Sequence, residues 1–175
     1  MRSSLTTPRL RLRHFTMDDL EELHELFADP LTHTIGSGPF TALSQTEQWI
    51  RNRTKAQAEH GLCWYALRDL DSGALIGNCG MLKGRTGYAE PEIGYMIRHS
   101  DQGRGFASEA ARAVLAECRA AGLKRVWSSI RPANTASRRI VERLGLRVDR
   151  TEHDDRGALL FYVIDLSGPG GGAGA

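Results

Sequence analysis

The sequence predicts an α+β fold, a mixed and mostly antiparallel sheet of about six or seven strands flanked by four helices. Three observations support this prediction. Seven short segments are apolar or alternate apolar with polar residues, as strands do. Four longer segments repeat apolar residues at the spacing of one helical face. The length of 175 residues suits one domain with a sizeable core, and no internal repeat is evident.

The N-terminal third predicts one strand and two helices. Leucines alternate with arginines in residues 7–13, the pattern of a half-buried strand. Thr16 can cap the first helix, which Asp29-Pro30 should end. Residues 44–47, Ser-Gln-Thr-Glu, have the pattern of a capping box, and the second helix should run to about Glu59.

Six strands and two helices are predicted in the rest of the chain. The predicted strands span 62–67, 74–82, 91–98, 125–131, 146–151 and 158–166, and the predicted helices begin near 107 and 137. Asp71-Ser72-Gly73 should join the first two of these strands in a hairpin. The Gly-rich tail, 168–175, is expected to be disordered, so the domain should span 1–167.

Composition argues against several classes of partner. Lys and Arg number 23 against 21 Asp and Glu, and the net charge of +2 gives no reason to expect a nucleic-acid partner. No apolar run is long enough to predict a membrane span, and the polar N-terminus predicts no signal peptide. The three cysteines lie in apolar segments, without metal-ligand spacing to the six histidines. We therefore expect reduced thiols, no bound metal and a cytoplasmic protein.

A glycine-rich turn separates the predicted strand 91–98 from the long helix. Gly103 and Gly105 lack the Cβ atoms that would hold a ligand away from the main chain. The first amides of a helix have no partner within it and lie at the positive end of its dipole. A phosphate placed there gains several donors at once. The sequence therefore predicts a pyrophosphate site at this turn.

Two common phosphate-binding patterns do not fit the turn. A P-loop needs Gly-x-x-x-x-Gly-Lys followed by Ser or Thr, and the sequence has no such run. A dinucleotide site needs a third glycine where Ser108 stands, and an acid closing the next strand, which offers none. The pattern Gln102-x-x-Gly105-x-Ala107 instead resembles the coenzyme A signature of the GNAT acetyltransferase superfamily.

A second motif, Asn134-Thr-Ala-Ser137, follows the strand after the long helix. Asn134 can cap a helix, and Ser137 would face the same side of its first turn. With the apolar and Gly-apolar positions after it, the motif resembles the GNAT branch that contains the ribosomal-protein alanine N-acetyltransferases. The resemblance covers residues 5–166, with 92–97 as the central strand. It implies a GNAT-like domain whose sheet contains a splayed parallel pair.

This resemblance implies that acetyl-CoA is the cosubstrate and that an amine accepts the acetyl group directly. By position, the main chain of Met96, Ile97 and Arg98 would bind the pantetheine arm, and Asn134 would touch it near the thioester. The amides expected at the pyrophosphate are those of Gln102, Gly103, Arg104, Gly105, Phe106, Ala107 and Ser108. The side chain of Arg104 could pair with phosphate or be an ordinary solvated turn residue.

The implied chemistry needs a base for the amine and a donor for the thiolate. Glu92 is the candidate base; it is alternatively a structural carboxylate, since an unpaired one on an apolar strand is costly. Many GNAT enzymes use a tyrosine after the Asn motif, and none stands there in this chain. Ser137, beside the cosubstrate, is the candidate donor, or else only a helix-start serine. Cys79 is expected to be an inert buried thiol.

The leading hypothesis is an N-acetyltransferase acting on a primary amine, such as a protein N-terminus. The alternatives are a small-molecule amine acetyltransferase and a non-catalytic acyl-CoA-binding module. A nucleotide oxidoreductase is disfavoured by the missing third glycine. The acceptor pocket is expected between the first two helices, the loop at 32–41 and the turn at 83–89. Exposed edge strands leave both a monomer and a homodimer open.

Overall fold

The computed structural model describes residues 1–34 and 38–167, which form one eight-stranded sheet with helices on both faces. The strands are β1 (Ser4–Thr6), β2 (Leu10–His14), β3 (Trp64–Asp69), β4 (Leu75–Leu82), β5 (Glu92–Ile97), β6 (Arg125–Ile130), β7 (Arg147–Asp154) and β8 (Gly157–Asp165). The helices are α1 (Leu20–Ala28), α2 (Leu43–His60), α3 (Phe106–Ala120) and α4 (Thr135–Arg143). The tail for which disorder was predicted, 168–175, lies outside the described residues.

The strand order is β1-β2-β3-β4-β5-β6-β8-β7. Only β5 and β6 run parallel among the paired strands of the described chain. The predicted α+β fold with a mixed sheet and four helices is therefore confirmed. The short strand β1 is an addition to the prediction, because three residues that alternate Ser, Leu and Thr carry too weak a pattern to predict a strand.

Two of the three apolar clusters of the described residues lie between the sheet and its helices, one on each face. The larger packs α3 and α4 on one face, and its fully buried side chains include Tyr65, Phe106 and Val114. The smaller packs α1 and α2 on the other face around Phe27 and Trp64. Each face of the central strands is thus fixed against helices, which holds the middle of the sheet in place. No helix in the described part of the chain is long and apolar enough to cross a bilayer.

The start of α2 differs from its prediction. The helix begins at Leu43, so Gln45, and not Glu47, stands at the third helical position. The side chain of Gln45 accepts hydrogen bonds from the amides of Thr41 (2.8 Å) and Ala42 (3.0 Å). The capping box predicted over 44–47 is therefore wrong. Glu47 instead pairs with Arg51 one helical turn later. The predicted end of α1 before Asp29-Pro30 is confirmed.

Candidate active site

β5 and β6 diverge from a single point of pairing. The register pairs Glu92 with Trp127, and the Trp127 amide donates to the Pro91 carbonyl (3.0 Å). One residue further, the hydroxyl of Ser128 donates to the carbonyl of Ile93 across a longer gap of 3.4 Å. At this point a side-chain hydrogen bond stands where a main-chain hydrogen bond would continue the parallel pairing. The β6-facing edge of β5 is therefore left open beyond it.

The pairing of β4 with β5 decides which main-chain groups face this opening. The Arg98 amide donates to the carbonyl of Ile76 (2.8 Å), and hydrogen-bonded positions alternate along an antiparallel pair. Met96 and Arg98 thus turn their main-chain groups to β4, while Tyr95 and Ile97 turn theirs to the opening. The main-chain contacts predicted for Met96, Ile97 and Arg98 stay a prediction. The register favours Ile97 among them, together with Tyr95, because the main-chain groups of Met96 and Arg98 already face β4.

The predicted glycine-rich turn follows β5 and leads into α3. Gly103 and Gly105 have φ values of +75° and +83°, a left-handed conformation that favours glycine. The side chain of Gln102 donates to the Ile97 carbonyl (3.0 Å) and ties the turn to β5. The amide of Glu109 makes the first helical bond, to the Gly105 carbonyl (3.1 Å). The earlier amides, from 106 to 108, have no acceptor within the helix.

Two guanidinium groups flank the start of α3. Arg9 binds the Glu109 carboxylate (2.7 Å) and the carbonyl of Arg104 (2.9 Å), and Arg104 pairs with Asp101 (2.9 Å). Both lie over the Phe106 ring, 4.5 and 4.7 Å from its centroid. Both are also partly exposed, so cations stand beside the free amides. This combination suits an anion with several oxygens. Sequence reasoning missed Arg9, which is 95 residues away from Arg104 in the chain.

Glu92 is buried where the two strands part. One carboxylate oxygen accepts from the Arg85 amide (2.6 Å) and the other from the Ser129 hydroxyl (2.5 Å). Gly84 packs against the same group, and a Cβ there would lie 2.3 Å from the carboxyl carbon. The carboxylate thus has the backbone partner that the structural alternative requires. It also keeps lone pairs for a substrate proton, because a carboxylate can accept about four hydrogen bonds.

The second motif forms the start of α4. Asn134 caps this helix as predicted, and its side-chain oxygen accepts from the Ser137 amide (3.1 Å). The Ser137 carbonyl accepts from the hydroxyl of Tyr95 on β5 (3.2 Å). Burial raises the pKa of Tyr95, so the phenol is protonated at neutral pH. The fold therefore brings a tyrosine to the Asn motif from the central strand, where sequence reasoning had looked only downstream of the motif.

Glu92 and Gly94 lie on the face of β5 opposite to Tyr95. This face lies beneath α1 and α2. The ring of Trp64 covers Gly94 so closely that a Cβ there would lie 2.8 Å from Cη2. Trp64 meets Trp49 edge to face, with 5.8 Å between ring centroids. The guanidinium of Arg53 lies over both indoles, at 5.0 and 4.7 Å. This is the region in which the sequence predicts the acceptor pocket, although residues 35–37 of its loop lie outside the described residues.

The cysteines take no part in this arrangement. Cys63, Cys79 and Cys118 are free and buried, and burial raises the pKa of each thiol, to about 12 for Cys118. Cys79 is thus a buried free thiol, as predicted, and a neutral enclosed thiol is a poor nucleophile. The described residues contain no cluster of three or more His, Cys, Asp or Glu placed to hold a metal ion.

Comparison with known proteins agrees with this geometry. Residues 9–147 match the family model described as an acetyltransferase (GNAT) domain. The chain belongs to the GNAT acetyltransferase family. This GNAT domain is 31% identical to the YkkB protein of Bacillus subtilis over 157 residues, 86% of this chain and 88% of that one. The resemblance stated from its motifs is therefore confirmed at the level of the superfamily.

Solved GNAT structures share the fold over nearly the whole chain. A GNAT-family acetyltransferase from Bordetella pertussis has a TM-score of 0.81 and 28% identity, covering 93% of this chain and 99% of that one. RimL, a ribosomal α-N-protein acetyltransferase in complex with coenzyme A, has a TM-score of 0.80 at 16% identity, with 92% and 96% coverage. At that identity, the likeness to RimL concerns the fold alone.

Proposed function

We propose that this GNAT domain transfers the acetyl group of acetyl-CoA to a primary amine, such as a protein N-terminal amine. The observation that carries the proposal is the opening between β5 and β6, which leads to a turn with unpaired helix-start amides. An extended pantetheine arm can add to the free edge of β5 through Tyr95 and Ile97. A pyrophosphate at the end of that arm meets the start of α3.

The residues at the turn suit this cosubstrate. The amides from 102 to 108 would bind the pyrophosphate, and Arg9 and Arg104 would supply positive charge beside it. Asn134 uses its oxygen to cap α4, which leaves its amide nitrogen for the pantetheine arm. The cosubstrate itself supplies the activated thioester. The solved complex of RimL with coenzyme A, a protein of the same fold, supports this choice of ligand.

The transfer requires two proton movements. The amine loses a proton as its nitrogen bonds to the acetyl carbon, and the sulfur takes a proton as the carbon–sulfur bond breaks. Glu92 is the proposed base for the amine, since its buried carboxylate stands at the head of the opening. Ser137 remains the proposed donor to the thiolate. Tyr95, whose hydroxyl reaches the Ser137 carbonyl, is a second candidate donor that the fold adds.

Ligand binding provides the first test. Acetyl-CoA at about 100 times its Kd should stabilise the protein by roughly 2.7 kcal/mol, which is a rise in Tm of about 5 to 10 °C. NADH should give no comparable shift. The absence of a shift with millimolar acetyl-CoA and CoA would contradict the proposed site, and a preference for NADH would favour an oxidoreductase.

Turnover provides the second test. We expect CoA release from acetyl-CoA in the presence of some peptides or small amines. Ser137→Ala or Tyr95→Phe should lower kcat by roughly 100-fold at unchanged acetyl-CoA affinity, depending on which hydroxyl donates the proton. A different result would indicate a non-catalytic acyl-CoA-binding domain. The protein would bind acetyl-CoA tightly, no amine would cause release of CoA, and neither substitution would have an effect.

A further inference from the structure

Arg53 on α2 is a cation without an anionic partner among the residues that the structure describes. Its guanidinium contacts the faces of two indoles, and its Nε is enclosed without a hydrogen-bond acceptor in the described structure. The two terminal nitrogens are not enclosed in this way, so they remain reachable from solvent. Burial lowers the pKa of this guanidinium, which still leaves it charged at neutral pH. A partly desolvated guanidinium whose two terminal nitrogens are accessible is suited to binding a carboxylate.

A second unsatisfied donor lies at the same indole. Trp64 donates from Nε1 to the side-chain oxygen of Asn78 (3.1 Å). Because an indole nitrogen can only donate, this contact determines which way the Asn78 amide is turned. The amide nitrogen of Asn78 is then enclosed without an acceptor. These two enclosed donors beside Trp64 have no acceptor among the described residues, and a ligand could supply one.

Arg53 and Trp64 lie on the same side of the sheet as the proposed base, Glu92. Trp64 covers Gly94, which is two residues from Glu92 on the same face of β5. Two residues of strand span about 7 Å. Arg53 thus contacts the indole that covers the strand position next to Glu92 on this face.

The surrounding charges leave Arg53 free to bind an anion. Glu90 on the adjoining turn already accepts from Arg125 (3.1 Å) and from the Trp127 indole (2.7 Å). Glu92 accepts from its own two donors. On the same turn, Lys83 lies 5.6 Å from the centroid of the Tyr88 ring and adds a further positive charge.

We propose that Arg53, held between Trp49 and Trp64, binds a carboxylate carried by the acceptor, so that the acceptor is an amine that also carries an acidic group. This inference rests on the proposed acetyl transfer for the identity of the ligand as an acceptor. Two sources share the chemistry: a free aminocarboxylate, or a peptide N-terminus followed by an acidic side chain. The structure assigns the carboxylate and leaves the experiment to separate the sources.

The test uses acceptors in matched pairs that differ by one charge. One arm compares β-alanine with β-alaninamide. The other compares amidated peptides that begin Ala-Asp with peptides that begin Ala-Asn. In the full chain saturated with CoA, calorimetry should detect binding of the acids of at least one arm, about 10- to 100-fold tighter than their amides. In turnover, KM should show the same preference, and the responding arm identifies the source.

Variants of α2 provide the matched controls. Arg53→Met should raise Kd and KM for the acid about 10- to 100-fold, with less than about twofold change for the amide and for acetyl-CoA. Arg51→Met removes an exposed cation of the same helix that pairs with Glu47, and should change neither constant. Arg53→Lys should recover part of the affinity, since it restores the charge without the fork.

The outcomes separate this inference from the proposed function. The carboxylate site would be overturned by any of three results. The acids and amides bind with equal affinity, both acids fail to bind at millimolar concentration, or Arg53→Met keeps the same preference for the acid. Binding of the acid that depends on Arg53, without CoA release for any amine, would support the site and contradict acetyl transfer.

Discussion

Glu92 shows how a single side chain can have a structural role and a chemical role at the same time. Its two oxygens each accept from one donor, and Gly84 closes the space behind the carboxyl group. A larger residue at 84 or a shorter one at 92 would break this fit. The neutral amide of glutamine has the same shape as the carboxylate, so it can separate the two roles.

We expect Glu92→Gln to fold normally and to turn over slowly. The Gln oxygen can accept from the Arg85 amide while its nitrogen donates to the Ser129 hydroxyl, so the free energy of unfolding should change by less than about 1 kcal/mol. Turnover should fall roughly 100-fold, because an amide cannot take a proton from the amine. Urea unfolding and steady-state CoA release measure the two effects.

Ser129→Ala is the control for this prediction. It removes one donor to the carboxylate and leaves the base in place, so its loss of turnover should be far smaller. Full turnover in the Gln variant would assign Glu92 a purely structural role.

Sequence reasoning finds residues whose role is local and misses those whose role depends on long-range contacts. Asn134 was predictable because a helix cap and its partner are three residues apart. Arg9 contacts Glu109 across 100 residues, so no local pattern connects them. Arg53 reads as one of several charges along a polar helix, and only the packed indoles distinguish it. Tyr95 likewise reads as an ordinary strand residue until the fold brings α4 against it.

At the scale of elements, the turn before α3 needs glycine for two reasons that can be tested apart. Gly105→Ala places a Cβ in a left-handed conformation, which costs about 1 to 2 kcal/mol, and puts a methyl group at the proposed pyrophosphate site. Gly73→Ala, in the remote β3–β4 hairpin at φ +72° with open space around it, adds the same strain alone. Both variants should lose similar stability in thermal unfolding.

Only Gly105→Ala should also lose acetyl-CoA affinity, by about tenfold in equilibrium titration, because the ligand must approach the main chain there. Equal affinities in the two variants would place the pyrophosphate elsewhere. The strand–turn–helix order of this site was predictable from glycines followed by helical periodicity. The divergence of β5 from β6 was available only through family resemblance, since neither strand carries a residue pattern that marks it.

The alternation along β5 makes a prediction for amide exchange. Met96 and Arg98 direct their amides to β4, so their hydrogen exchange should be slow with or without ligand. Tyr95 and Ile97 direct theirs to the opening, and an added pantetheine arm should slow exchange at one or both of them. Amide exchange followed by NMR, with and without CoA, measures this difference. Slowing at Met96 or Arg98 alone would reverse the assignment of the β5 edge.

At the scale of the whole molecule, two buried carboxylates and one half-buried carboxylate hold the N-terminal region to the rest of the sheet. Glu117 on α3 binds Arg2 before β1, and Glu109 binds Arg9 before β2. Asp19 binds Arg13 of β2 (2.5 Å) and Arg68 of β3 (2.9 Å). Burial alone would raise the pKa of each acid, but hydrogen bonds from these arginines and from neighbouring groups outweigh it and lower all three. The folded state therefore favours their ionised forms.

Lowering the pH should accordingly reduce the free energy of unfolding, because these carboxylates take up protons. A lowered pKa stabilises the folded state above the pKa of the unfolded chain, and that stabilisation is lost as pH falls through the folded value. Asp19, with no exposed side-chain surface, is the sharpest probe. Asp19→Asn should cost about 3 kcal/mol at pH 7, because Arg13 loses its counter-charge and Arg68 keeps only Glu22.

This cost should shrink as pH falls below about 4, where the Asp19 carboxyl group of the unfolded chain takes up a proton, and it should vanish once the same group in the folded protein, whose pKa is lowered, does so as well. Urea unfolding at a series of pH values measures the trend, and Asp18→Asn at the exposed neighbouring position is the control that should cost little throughout. A difference between Asp19→Asn and wild type that stays constant into the acid range would show that Asp19 stabilises the fold by shape and hydrogen bonding alone. A shrinking difference would show that its charge holds β2 and β3 together.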